Sequence, residues 1–76
     1  MSANKKFSIG VVKKNDINIV VIEGEHGDVQ DLADLVNKGK IKINGCDNVK
    51  VIDINKDEYE MCKNDILLLQ GLIEKQ

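Results

Sequence analysis

Two runs rich in β-branched residues, at positions 7–12 and 17–22, are separated only by Lys13, Lys14, Asn15 and Asp16. No other feature constrains the chain as much. Short β-branched runs divided by a polar four-residue stretch pair as an antiparallel hairpin. Phe7, Ile9 and Val11 alternate onto one face. The second run ends almost continuously apolar (Ile19, Val20, Val21, Ile22), the pattern of a central strand covered on both sides.

A helix follows. Asp28 suits an N-cap, and Asp31 and Asp34 favour the positive end of the helix dipole. Val29, Leu32, Leu35 and Val36 share a face, and Gly39 supplies a left-handed stop, so the spacing predicts a helix over 29–38. Residues 40–44 alternate lysine with isoleucine and predict a half-exposed third strand, Ile41 and Ile43 inward. Residues 45–48 form a turn, and 49–54 a fourth strand. Asn55 with Glu58 three residues on resembles a capping box and opens a second helix over 56–74, against which only Gly71 argues.

The expected fold is therefore α+β and two-layered, with a four-stranded, mainly antiparallel sheet in ββαββα order and two helices packed on it. Residues 1–6 are expected to be a flexible N-terminal tail and 7–76 a single domain. With 76 residues the chain is short enough for marginal stability, which small domains offset with a disulfide, a metal or a second subunit. Only two cysteines occur, Cys46 and Cys62, and no apolar signal segment precedes them. The expectation is a reducing, cytoplasmic setting without a disulfide. No apolar run is long enough to span a membrane.

A formal net charge of −2 gives no global argument for nucleic-acid or membrane binding. The charge is unevenly spread. Glu23, Glu25, Asp28, Asp31 and Asp34 form an acidic surface without the alternating oxygen spacing of a calcium loop. Lys38, Lys40, Lys42 and Lys50 form a basic strip. All eleven basic residues are lysine, which removes the planar fork that reads guanine or clamps phosphate. Single-strand binders interleave such strips with stacking aromatics, and only Phe7 and Tyr59 are aromatic here.

No pattern for catalysis or metal emerges. His26, the single histidine, has no neighbouring motif that makes it a base, and its pairing with Cys46 is not written in the spacing. His26, Cys46 and Cys62 lack the paired spacing of a zinc site. Gly24 to Gly27 has the form of a phosphate-clamping G-x-x-G loop, but Glu25 lies inside it. No cofactor is expected.

The remaining feature is the second helix. At 100° per residue Tyr59, Cys62, Ile66, Leu69 and Ile73 form one stripe, and Met61, Leu68 and Leu72 widen it beyond what one packing face needs. Leu67 lies off the other side. Met61, Leu67, Leu68 and Leu72 are read as a protein interface. The functional expectation is a small non-enzymatic protein-interaction or regulatory domain, a homodimer through its C-terminal helix. A regulator carried by a phage or other mobile element fits that size. The alternatives are a weakly sequence-specific nucleic-acid binder using the lysine strip and, further behind, a small enzyme subunit.

Overall fold

The computed structural model describes residues 6–43, 45–46 and 48–76. It is an α+β fold with three strands and three helices: β1 (Phe7–Lys14), β2 (Ile17–Glu25), α1 (His26–Asn37), β3 (Lys50–Asp53), α2 (Lys56–Cys62) and α3 (Ile66–Glu74). Apart from Lys6, the expected tail lies outside the described residues.

β1 and β2 form the expected hairpin, but its loop has two residues instead of four. Lys14 pairs with Ile17, and Asn15 and Asp16 both take positive φ, 52° and 66°. That is the mirror-image turn whose twist matches paired strands, and Asn and Asp tolerate its left-handed backbone. The sheet is antiparallel, in the order β2-β1-β3. β1 is therefore the central strand, and the expectation of a central β2 is corrected. Ile17 and Ile19 of β2 are 39% and 41% exposed, as befits an edge. The register slips between Gly10 and Val11, leaving Val21 as a bulge in β2.

Alternate residues of β1 enter different cores. Ile9 and Val11 pack with Ile52, Ile54, Tyr59, Leu69, Leu72 and Ile73. Val12 packs with Ile22, Val29, Ala33, Val36 and Val49. Side chains alternate across a strand; α1 thus covers one face and α2 with α3 the other. The expected two layers become three, because the sheet is apolar on both sides of β1.

The expected strand at 40–44 does not form, so the predicted four strands and ββαββα order are replaced by three strands in ββαβαα order. Among the described residues of that segment, only Ile43 makes a bridge, to Cys46, and Asn44 lies outside them. The segment is instead tied to the end of α1. Gly39 (φ 78°) donates to the Val36 carbonyl and Lys40 to that of Leu35, which is a complete Schellman stop. Ile41 N–H also reaches Leu35 O, at 3.4 Å. α1 starts at His26 with Glu25 as N-cap, so Asp28 lies inside the first turn and is not the cap.

The predicted continuous helix over 56–74 is broken. Asn55 caps α2 as expected, its side chain accepting from Glu58 N–H. Asp65 then adopts an extended backbone and its carboxylate accepts from Leu67 N–H and Leu68 N–H, at 3.1 and 3.2 Å. Capping restarts the helix in a new direction as α3. The redirection turns Leu69, Leu72 and Ile73 onto the sheet and leaves Ile66 57% exposed, out of its expected place in the stripe.

Two side-chain amides each cap one position at a sheet edge. Ile54 N–H bonds Phe7 O, so Ile54, Ile52 and Lys50 face β1 while Val49, Val51 and Asp53 point outward. Asn37 accepts from Val49 N–H at 2.7 Å and donates to Val49 O at 3.0 Å. On the opposite edge Gln70 makes the same double pairing with Asn18 N–H and O, both at 2.8 Å.

Candidate functional site

Two places in the fold carry more than packing. The first is the corner between α2 and α3. Met61 is 80% exposed, Leu67 79%, Ile66 57% and Leu68 56%. Leu72, expected beside them at the surface, is buried in the core, because the break at Asp65 rotates α3 inward. The corner encloses an open groove of about 400 Å³, with Met61, Cys62, Leu67 and Leu68 along its walls, Leu72 at its base, and Glu58 and Lys75 as charged flanks. Its sequence signal was partial. Periodicity found the apolar surplus but not which members of it face out.

Beneath the corner, Tyr59 anchors α2. Its ring lies 5.5 Å from that of Phe7, and its hydroxyl donates to Glu23 Oε2 at 3.1 Å. Burial first, and then the Glu23 carboxylate, push the hydroxyl up to about 12.

The second place is a Ser-His-Asp cluster that residue spacing did not suggest. Ser8 on β1 lies opposite Asp53 of β3 and Gly24 of β2, and His26 begins α1 directly above them. Ser8 Oγ donates to Asp53 Oδ1 at 2.6 Å. His26 Nδ1 lies 2.7 Å from the same oxygen and 3.1 Å from Ser8 Oγ. A carboxylate only accepts, so Nδ1 carries the proton it shares with Asp53. The hydrogen bond from Ser8 holds the Asp53 carboxyl below its ordinary range; partial desolvation opposes it, and His26 and Lys6 add to the lowering.

This geometry differs from a nucleophilic triad. There the serine gives its proton to one ring nitrogen while the carboxylate holds the other. Here one nitrogen meets both partners, and the Ser8 hydroxyl gives its proton to the carboxylate and is fully buried. The cluster ties β1, β3 and the start of α1 into one joint. A serine inside an apolar strand was its only signal, and the register that completes it spans 18 and 45 residues.

The acidic residues are spread. Glu23 serves Tyr59, Glu25 stands at the N-cap position of α1 without a side-chain cap bond, and Asp34 accepts from Gln30 Nε2 at 3.0 Å. Asp28 and Asp31 are exposed on α1. Among the described residues no group of three histidine, cysteine or acidic side chains is placed to hold a metal ion. Lys38, Lys40 and Lys42 lie at and beyond the end of α1 and Lys50 on β3, all exposed. The missing strand leaves no single ladder to align them. Cys46 packs against the core under α1, and Cys62 against the core beneath α2 and α3. No helix is long and apolar enough to cross a membrane among the described residues. Comparison with protein-family models, with curated proteins and with solved structures found no match to this chain.

Proposed function

We propose that this domain is a protein-interaction module that self-associates through the α2–α3 corner. The observation that carries the reading is the exposure of Met61, Leu67 and Leu68 together along one groove, between 56% and 80% each. Isolated exposed apolar residues need no explanation, whereas a contiguous set bordered by charge marks a contact surface. Glu58 and Lys75 flank the groove with opposite signs. An isologous pairing that sets Glu58 of one copy against Lys75 of the other would match these charges.

The magnitudes allow a weak, reversible dimer at most. Fully burying such a side chain contributes about 1.5–3 kcal/mol. Six of them across a two-fold interface, at half that value each, give about 4.5–9 kcal/mol, against an association cost of about 4–15 kcal/mol.

Sedimentation equilibrium across protein concentration, at low and high salt, tests the reading. The expected result is a mass rising toward twice the 8.5 kDa chain, with little salt dependence. The Met61→Glu, Leu67→Glu double variant should stay monomeric with an unchanged circular dichroism spectrum, since both side chains are largely exposed. A wild-type chain that stays monomeric throughout the range removes the proposal.

A further inference from the structure

The outer edge of β3 is the other unfinished surface of the fold. Val51 and Asp53 point their N–H and C=O away from β1, and among the described residues no hydrogen bond engages those groups. Beside this edge a cavity of about 490 Å³ opens on the α3 face of the sheet. All four residues of β3 line it, with Lys13 of β1, Asn18 of β2, and Ile73, Glu74 and Gln76 at the end of the chain. A row of free backbone donors and acceptors beside a side-chain cavity is recognised by an extended strand.

Charge narrows the occupant. Lys50 lies opposite Val11, and Lys13 is two residues further along β1, so both project on the same face. Glu74 lies on the α3 side of the cavity. The Asp53 carboxylate, on the other face of the sheet, already serves Ser8 and His26. An acidic side chain is therefore the complement of the two lysines, with Glu74 the one carboxylate on their side. The Asn37 clamp on Val49 marks where pairing must stop.

We propose that β3 accepts an extended acidic segment of another protein as a fourth strand, paired at Val51 and Asp53, with a carboxylate seated between Lys13 and Lys50. This surface is separate from the α2–α3 corner. Testing it in the Met61→Glu, Leu67→Glu background keeps the two readings distinguishable.

The probe is an acetylated peptide of sequence Val-Thr-Val-Thr-Val-Glu, titrated into the full chain and followed by amide NMR and hydrogen exchange. The expected result is saturable shifts with slowed exchange at the Val51 and Asp53 amides. Affinity should fall about tenfold or more when Lys13→Glu and Lys50→Glu are combined, or when the peptide glutamate is replaced by lysine. Both lysines are exposed, so the fold should survive the change. Three outcomes overturn the proposal: shifts confined to another surface, an affinity indifferent to charge reversal, or protection of Val51 and Asp53 that follows protein concentration without peptide. The last makes a second copy the occupant.

Discussion

The two faces of the sheet are buried by different means. Under α1 the seal is tight and made of small residues. Val29, Ala33 and Val36 are fully buried, and Gly10 lets Val49 and Ile22 close over the strand. Under α2 and α3 the core uses larger side chains: Tyr59, Leu69, Leu72 and Ile73 are each 4–8% exposed. One uninterrupted helix with a strong stop covers its face and presents only Leu32 and Leu35 as half-exposed apolar flanks. Two short helices joined by a cap cover theirs and push four apolar residues into solvent. Continuity gives closure, and a break gives closure together with a surplus on which another molecule can act.

The largest expected effect is on the face with large side chains. Leu69→Ala should cost about 2–5 kcal/mol, seen as a lower urea midpoint. A loss much below that means the two-helix face collapses around the void and is softer than its burial suggests. On the α1 face the sensitive change is an addition. A Cβ at Gly10 meets Val49 Cγ1 at 2.8 Å, so Gly10→Ala should cost about 1–3 kcal/mol through overpacking. A neutral result in the same urea assay shows that α1 can lift, and the contrast between the faces weakens. Asp65→Ala removes the cap that divides α2 from α3 and should cost about 1 kcal/mol. A rise in helix content on circular dichroism, with loss of the proposed self-association, would show that the cap and not the loop shapes the corner.

The smallest effects separate the faces by pH. Tyr59 has a raised folded value, so its contribution is complete below its ordinary value near 10 and is lost as pH climbs through about 12. Asp53 has a lowered folded value, so its contribution is present above its ordinary value of 3.8 and is lost as pH falls through the lower folded one. The α2–α3 face should therefore weaken first in alkali and the α1 joint first in acid. Tyr59→Phe should flatten only the alkaline limb of the melting-temperature profile, and Asp53→Asn only the acid limb. A variant that flattens both limbs shows that the faces are coupled through β1.

What was legible in the sequence was local. The hairpin, the Gly39 stop and the Asn55 cap each need only a few neighbouring residues. The helix break was hidden because apolar spacing near 100° runs through Asp65 without a gap, and a buried or exposed leucine looks the same in that count. Ile66 and Leu72 changed places for that reason. The lysine–isoleucine alternation at 40–44 looked like a strand because alternation reports a half-buried surface, not the presence of a partner edge. The Ser8–His26–Asp53 joint lay beyond reach because it exists only once three elements are in register. Legibility of the candidate site followed the same line, with Met61, Leu67 and Leu68 visible as surplus and the β3 edge invisible until the third strand was lost.

The Gln70 clamp on Asn18 has a bearing on assembly. Together with the bulge at Val21 it blunts β2 near the hairpin, which favours β3 as the edge for the strand addition proposed above. A filament built by sheet extension needs each subunit to offer one edge and receive another. If β2 is blunted in this way, the strand addition proposed at β3 ends at its first step and gives a discrete complex rather than a fibre.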